Sequence, residues 1–362
     1  MSRFFSCLCL AGLLLSLLLF AGCGGEAPED TATNLLYISN GDGTCSFSGL
    51  ADPEASQAEL RIPKVNYRNE TVTSVSPSAL YLNTTVRRIH LPDTVEEIGE
   101  SAFRGSALVD IELPENLTVI GRSAFNSCTS LQYVGFGSRV TSIGESAFEG
   151  CPELTFIQIP GSVKTIGMFA FMECQKLQAV YIEPGVTALG DFMFKSCTSL
   201  SAICLPEGLR EVGHGAFQNC SKLTSVIFRN GLESLKAGAF ESCTMLSSVT
   251  LPATVKSIGT GTFEGCGFLS EIRYAGTQES LSGIQNLPDR AKTVCGASIE
   301  DMPDAGSFFN RSRKVNATVP ILIVCAVLAV GFTVFWILHY RRIRAYRKEA
   351  ERPAAKGKIH GR

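Results

Sequence analysis

The sequence predicts an α/β-type solenoid built from 23-residue units, each consisting of a strand plus a short helical turn. Three observations predict this fold. Phenylalanine and cysteine recur together at a fixed interval, a short apolar and polar alternation follows each cysteine, and a glycine returns shortly before the next phenylalanine. A period of about 20 to 50 residues is typical of proteins whose units bury their apolar faces only by stacking on one another.

Seven cysteines define the interval, and each lies three residues after a phenylalanine. This cysteine ladder consists of Cys128, Cys151, Cys174, Cys197, Cys220, Cys243 and Cys266. Equivalent side chains in stacked coils point the same way, and cysteine is one of the most buried residue types. We therefore expect buried, reduced, structural thiols, with a disulfide chain or a metal array as the alternatives. Because no histidine accompanies them at zinc-binding spacing, we expect no metal site and no cofactor.

The other columns of the unit each have a physical reason. With the phenylalanine counted as zero, the residues at +9 and +11 are apolar between polar neighbours, which indicates a strand with one buried face. In the unit of Phe148 these are Ile157 and Ile159, and Pro160 ends the strand because it has no amide donor. Gly167, at +19, indicates close approach between coils. The alanine, phenylalanine and cysteine columns fit one face of a short helical turn.

The start of the chain has the pattern of an exported protein. Residues 1–22 are predicted to be a signal peptide, because one basic residue precedes a long apolar run. The run ends just before Cys23, which resembles the lipidated residue of a bacterial lipoprotein signal, although ordinary signal cleavage nearby is the alternative. Residues 23–33 are short and polar, and we expect a spacer there.

The end of the chain predicts a membrane anchor. Residues 318–339 have no charged side chain and are long enough for a helix to cross about 30 Å of hydrocarbon. Residues 340–362 follow as a tail with nine Lys or Arg and two Glu, an excess that predicts a cytoplasmic tail and extracellular repeats. A buried core helix is the alternative, but no later domain could cover it. Residues 298–317 lack periodicity and are predicted to be a stalk.

Between these ends the sequence divides into caps and repeats. Residues 34–80 are predicted to hold an N-terminal cap and a degenerate first repeat, because an Asn-Gly turn at Asn40 lies between two apolar runs and indicates a hairpin. Residues 81–276 hold the repeats. The pattern fades over 277–297, as expected of a C-terminal cap.

The recurring motif resembles a known family. Its fullest copy runs from Leu251-Pro252 through Val255, Ile258-Gly259 and Phe263 to Cys266 and Leu269. This Leu-Pro-x-x-Val-x-x-Ile-Gly pattern is similar to the BspA-like (treponemal-type) leucine-rich repeats of bacterial and some protist surface proteins. The resemblance implies a right-handed superhelix on a cell surface, often acting in adhesion to host or bacterial partners.

No catalytic motif is present, and we predict that the protein is not an enzyme. Four histidines are scattered through the chain, and we find no serine elbow, no phosphate-binding loop and no zinc-binding helix motif. The net charge is −2, and because the tail contributes +7, the remainder carries about −9. An acidic exterior gives no reason to expect nucleic-acid binding.

Binding residues are instead expected at the strand positions that face away from the core, at +8 and +10. Aromatic residues gather there in the middle of the array, where we predict a ligand-binding patch on the concave face. It comprises Tyr133, Phe156, Gln158, Tyr181 and Ile227. Cross-strand packing that only stabilises the sheet is the alternative.

Together these features predict an adhesin-like, membrane-anchored surface protein. Its partner would be a protein or glycan on a host or neighbouring cell, bound through the concave sheet. A structural envelope component is one alternative. A receptor that recruits a cytoplasmic partner through its basic tail is another, because a tail of this length cannot form a catalytic domain.

Overall fold

A computed structural model describes residues 34–54 and 57–297 of the chain. Within these ranges the protein is a stack of coils, each with two strands and a segment of turns. The predicted signal peptide, Cys23, the stalk, the membrane helix and the basic tail lie outside the described residues. Among the residues described, no helix combines the length and apolar character needed to span a bilayer.

The stack begins with the hairpin that the Asn-Gly turn predicts, which is confirmed. Strand β1 (Leu35–Ser39) pairs antiparallel with β2 (Thr44–Leu50). Strand β2 then pairs in parallel with the first coil, so the hairpin covers the open edge of one sheet. This arrangement satisfies backbone groups that an uncovered edge strand would leave unpaired.

Each coil contributes one longer strand at the +8 to +11 positions. These strands are β3 (Glu59–Arg61), β5 (Arg88–His90), β7 (Asp110–Glu112), β9 (Tyr133–Gly135), β11 (Phe156–Ile159), β13 (Ala179–Ile182), β15 (Ala202–Cys204), β17 (Ser225–Ile227), β19 (Ser248–Leu251) and β21 (Glu271–Tyr274). They pair in parallel in three successive groups, β3 to β9, β11 to β15 and β17 to β21. Equivalent residues lie opposite one another, as Gln158 and Tyr181 do.

A second strand in each coil was not expected from the sequence. These shorter strands are β4 (Thr71–Val75), β6 (Glu97–Ile98), β8 (Val119–Ile120), β10 (Ser142–Ile143), β12 (Thr165–Ile166), β14 (Ala188–Leu189), β16 (Glu211–Val212), β18 (Ser234–Leu235) and β20 (Ser257–Ile258). They form parallel ladders that run from β4 to β12 and from β14 to β20. A glycine follows every one of these strands except β4 and β18, where Ser76 and Lys236 take its place. Gly167 has the predicted role, because a Cβ there would overlap the amide nitrogen of Glu145 in the preceding coil.

The predicted short helical turn is wrong, and the backbone shows why. In each coil the residues two before and two after the phenylalanine have positive φ, as Ser123 (+52°) and Ser127 (+58°) do around Phe125. Left-handed residues at this spacing interrupt an α-helix. The amides of Ser123, Phe125 and Ser127 instead donate to carbonyls of the next coil, at 2.7 to 2.8 Å. We call this third set of bonds between coils the turn ladder.

One continuous core lies between the two sheets and the turn ladder. The phenylalanine rings stack along it with centroids 5.0 to 5.9 Å apart, from Phe103 to Phe263. Stacked rings are worth about 0.5 to 1.5 kcal/mol beyond their buried area. Each ring therefore stabilises two neighbouring coils.

The C-terminal end is closed on the strand side. Helix α1 (Gln278–Ser282) begins after Thr277, whose hydroxyl accepts a hydrogen bond from the Ser280 amide. Strand β22 (Lys292–Cys295) then adds to the open edge of β21. Leu281 and Ile284 extend the core beneath them.

Candidate functional site

The outward surface of the longer strands, which we call the strand face, has polar ends. At its N-terminal end Arg88 pairs with Asp110 in the next coil at 2.9 Å, and the imidazole of His90 lies 2.8 Å from the carboxylate of Glu59. At its C-terminal end Arg273 pairs with Glu271 at 3.0 Å. These charged groups are exposed or partly exposed, so each pair contributes little to stability.

The centre of the strand face is an apolar cluster separate from the core. Phe156, Ala179 and Tyr181 bury one another, and Ala202 and Cys204 pack against them from the next coil. Phe156 and Tyr181 are only 8% and 7% exposed, so the expectation of solvent-exposed aromatic anchors is wrong for these two residues. The reason is the register, which places β11, β13 and β15 side by side. The ligand-binding role predicted for the cluster stays a prediction.

Tyr133 lies on the N-terminal side of this cluster and is half-buried. Its hydroxyl donates a hydrogen bond to the carboxylate of Glu112. Burial is the main reason that the pKa of Tyr133 is raised to about 12, and the Glu112 charge adds to the shift. Burial also raises the pKa of Glu112, against the effect of the tyrosine hydrogen bond. Gly135 makes this arrangement possible, because the Glu112 carboxylate lies where its side chain would otherwise be.

The other two predicted residues are half-buried at the margins of the cluster. Gln158 donates to the Glu183 carboxylate at 2.7 Å, and that carboxylate also accepts from the Gly161 amide at 3.2 Å. Ile227 lies in the same column as Tyr181, two coils further on. The structure therefore brings Phe156, Gln158 and Tyr181 together, with Tyr133 and Ile227 on either side.

The structure places the cysteine ladder in the core as buried thiols, and no disulfide joins cysteines within the described residues. Each thiol donates to the carbonyl of the phenylalanine one coil earlier, as in the 3.2 Å contact from Cys151 Sγ to Phe125. The same carbonyl accepts the amide of Cys128 in its own coil, at 3.3 Å. The thiol thus supplies a second donor to a buried carbonyl, which explains why a valine would not serve equally well.

Burial makes these thiols poor nucleophiles. It raises the pKa of both Cys128 and Cys266 to about 11, and it raises the pKa of Cys151, Cys197, Cys220 and Cys243 as well. The thiolate is the reactive form of cysteine, so at neutral pH these side chains are protonated and inert. A structural role for the ladder stays a prediction.

Sequence reasoning missed a strained aromatic pair on the turn side. Phe169 and Phe192 have φ of +60° and +54°, a conformation that costs a bulky residue about 1 to 3 kcal/mol. Their rings stack 5.4 Å apart, and Lys195 Nζ lies 5.3 Å from the Phe192 centroid. A signal was available in the sequence, because other coils have serine or glycine at this position.

Comparison with known families identifies the repeat. The model of the BspA type leucine rich repeat region matches residues 57–178 and 164–284, in six copies. These ranges include every longer strand of the stack and most of its core. The chain belongs to the BspA-type leucine-rich-repeat family. Proteins built from such repeats generally bind protein partners and are generally not enzymes.

Solved structures of leucine-rich-repeat proteins are similar to this chain. The T. pallidum leucine rich repeat protein is 30% identical, covers 55% of this chain and 91% of its own, and superposes with a TM-score of 0.50. A leucine rich cell surface protein from Faecalibacterium prausnitzii is 19% identical over 69% of this chain and 95% of its own, with a TM-score of 0.37. A search of curated proteins gives no match.

Proposed function

We propose that this BspA-type protein is an adhesin-like, membrane-anchored surface protein that binds a macromolecule through its strand face and performs no chemistry. The observation that carries the proposal is the apolar cluster of Phe156, Ala179 and Tyr181. It lies outside the core, on a face whose two ends are charged. An apolar centre with a polar rim is the usual composition of a protein-binding surface.

The chemistry of the described residues supports a binding role over a catalytic one. Within residues 34–54 and 57–297, no three His, Cys, Asp or Glu side chains gather where they could hold a metal ion. Glu112 and Tyr133, whose pKa values are both raised on the strand face, bond to each other rather than to a nucleophile. This pair holds the strand face in shape.

The binding proposal is tested with a variant that changes the margins of the cluster and leaves its buried centre intact. In Tyr133→Ser/Ile227→Ser, both substituted side chains are half-buried on the strand face. The matched control is Met168→Ser/Met245→Ser, which removes two side chains that are 43% and 50% exposed elsewhere. Both variants are compared with the unchanged protein.

Binding of the full chain is measured on arrays of immobilised glycans and extracellular-matrix proteins and on whole bacterial cells. Wherever the unchanged protein binds, we expect the strand-face variant to lose at least about tenfold in affinity and the control to lose nothing. Equal binding by both variants would mean that the partner does not bind the strand face. If the protein binds only glycans, the partner is a glycan and not a protein.

The membrane anchor is proposed from the sequence of residues 1–22, Cys23 and residues 318–339. Alkaline extraction of cell membranes should leave the protein in the membrane fraction, because a spanning helix does not wash off. Protease added to intact cells should degrade the repeats and spare the tail. Mass spectrometry of the mature N-terminus should find a lipidated Cys23, and an unmodified N-terminus would leave the helix as the sole proposed anchor.

A further inference from the structure

The strained pair Phe169 and Phe192 belongs to a column that otherwise holds small residues. This column, two residues before the core phenylalanine, has serine in four coils, phenylalanine in two and glycine in three, at positions 78, 101, 123, 146, 169, 192, 215, 238 and 261. All nine residues have left-handed φ, between +52° and +66°. The stack therefore forms the same turn with and without an aromatic ring.

Stability gives little reason for phenylalanine in these two coils. Left-handed φ strains a bulky residue, whereas glycine adopts it freely. The rings of Phe169 and Phe192 stack 5.4 Å apart, which offsets roughly the strain of one of them. Both rings are also partly exposed, so each gains only part of the free energy of burial. Strain that is not needed for stability is typical of binding sites.

A methionine extends the aromatic pair. The side chain one residue after the core phenylalanine lies close to the left-handed position of its own coil, as Lys195 Nζ does at 5.3 Å from the centroid of Phe192. Glu241 Oε2 likewise lies 3.1 Å from where a Cβ on Gly238 would be. Met172 holds this place in the coil of Phe171, and every other residue of the column from the coil of Phe103 onward is polar.

We call Phe169, Met172 and Phe192 the turn ridge. Its residues occupy two columns that elsewhere hold small or polar side chains, and they do so in two adjacent coils only. All three are partly exposed. Adjacent apolar side chains on an otherwise polar surface are typical of an interaction site. The turn ridge therefore fits a partner with an apolar side chain to cover it.

The charges around the turn ridge indicate the sign of that partner. Four acidic residues lie beside the ridge, either next to it in sequence or in the preceding coil at the equivalent column or next to it: Glu145, Glu149, Glu173 and Asp191. Against these, Arg122 pairs with Glu145 at 3.2 Å and Lys195 lies by Phe192. The carboxylates outnumber the cations, so the surroundings of the ridge attract positive charge.

These two properties favour a basic polypeptide over the other candidate occupants. An anionic lipid surface would be repelled by the carboxylates. A second copy of the chain would bring further like charge, because the chain carries about −9 outside its tail. A segment that combines apolar and basic side chains satisfies both the ridge and its surroundings.

We propose that the turn ridge docks a basic polypeptide segment of a partner protein, in which apolar side chains lie between Lys or Arg residues. The apolar side chains cover Phe169, Met172 and Phe192, and the flanking cations pair with the surrounding carboxylates. The ridge is formed by turns and the strand face by the longer strands, so this inference does not depend on the proposed partner of the strand face.

The test is fluorescence anisotropy with two labelled synthetic peptides and the full chain. One probe is Lys-Lys-Leu-Leu-Lys-Lys, and the other has serine in place of leucine. We expect the unchanged protein to bind the leucine peptide at least about tenfold more tightly, because only leucine covers the ridge. Phe169→Gly/Phe192→Gly should remove this preference. Ser101→Gly/Ser123→Gly, which introduces glycine in the same column of two earlier coils, is the matched control and should keep it.

Two further variants separate charge and folding from apolar recognition. Glu149→Gln/Glu173→Gln should weaken the binding of both peptides and reduce its salt dependence, while the preference for leucine remains. Phe169→Gly/Phe192→Gly should lower the melting temperature much less than the core truncation Phe171→Ala does, because glycine relieves the strain at both positions.

Four results would overturn the proposal. The unchanged protein could bind both peptides equally or neither, which means that the ridge does not recognise apolar side chains. The preference for leucine could survive Phe169→Gly/Phe192→Gly. It could be lost in Tyr133→Ser/Ile227→Ser, which means that the peptide binds the strand face. Phe169→Gly/Phe192→Gly could lower the melting temperature as much as Phe171→Ala, which means that the aromatic pair serves stability.

Discussion

The core columns and the strand face share one 23-residue register and use it in opposite ways. In the core, phenylalanine and cysteine recur almost unchanged, and each side chain contacts its equivalents in the coils before and after it. On the strand face the equivalent positions vary from charged to aromatic to small, in the order Asp110, Tyr133, Phe156, Ala179 and Ala202. The constant columns maintain the stack, and the varied columns give each region of its surface a different chemistry.

The comparison also shows that variation does not by itself mean exposure. Phe156 and Tyr181 lie on the varied side, yet they are nearly as buried as core residues because the small residues Ala179, Ala202 and Cys204 let them pack together. A surface of this kind is rigid before a partner arrives, and it loses little conformational entropy on binding.

The largest difference between the two regions is expected when one phenylalanine in each is truncated to alanine. Phe171→Ala should lower the free energy of unfolding by about 3 to 5 kcal/mol, because it leaves a cavity between two stacked rings. Phe156→Ala should cost about 1 to 2 kcal/mol, because its cluster can collapse toward solvent. Urea denaturation of the purified protein measures both. Equal losses would mean that the strand face is part of the core in energetic terms.

Alkaline pH should lower the free energy of unfolding, because the core contains buried thiols. A group whose pKa is raised by folding stabilises the native state below its unfolded pKa, which is about 9 for cysteine, and this contribution is lost at higher pH. Each such thiol should cost about 1.4 kcal/mol per pH unit above pH 9. Cys220→Ser removes one of them, so its unfolding free energy should fall less steeply than that of the unchanged protein.

Urea denaturation at intervals from pH 8 to pH 11 measures the two slopes. Other groups also titrate in this range, but they are common to both proteins and cancel in the difference. Parallel curves would mean that Cys220 ionises freely in the folded state.

The close contact between coils predicts a third, smaller effect. Gly167→Ala should destabilise the protein by about 1 to 3 kcal/mol, because the added methyl group overlaps the backbone at Glu145. Gly267→Ala is the matched control, since nothing lies within 4 Å of its added carbon and its φ is not left-handed. Thermal unfolding measures the stability of both variants. If Gly167→Ala is as stable as the unchanged protein, the coils can separate at this point without cost.

The smallest effect is expected on the strand face at acidic pH. Burial raises the pKa of Glu112, so its ionisation in the folded state costs stability as the pH rises from below the ordinary value of 4.5 through the raised pKa. Glu112→Gln does not ionise. Its stability relative to the unchanged protein should therefore increase across that range and stay level at higher pH. Denaturation from pH 3 to pH 8 tests this, and a constant difference would contradict it.

Most of the stack could be predicted from the sequence because its period is long and exact in the core. The spacing of Phe148, Cys151, Ile157 and Ile159 gives the unit, its longer strand and its buried side. The family follows from the same columns. The hairpin at Asn40 was predictable because Asn-Gly favours a tight turn.

The rest depends on interactions that no single unit contains. Apart from β4, the shorter strands have only two residues, too few to show an alternating pattern. The turn ladder requires left-handed serines and phenylalanines, and propensity favours other conformations for these residue types. The burial of Tyr181 follows from Ala179 and Ala202 being small in two different coils, which becomes apparent only once the register is known.

The turn ladder also gives the molecule a direction. Its N–H groups between coils all point toward the C-terminal end, so their bond dipoles add along the stack as they do along an α-helix. On the turn side the last described coil consequently carries partial positive charge and the first partial negative charge, whereas bonds such as that from the Gly121 amide to the Ile98 carbonyl point the other way on the sheet side. Two copies that met through the same end would oppose donor to donor, so a twofold-symmetric contact at either end is disfavoured and a head-to-tail contact is favoured.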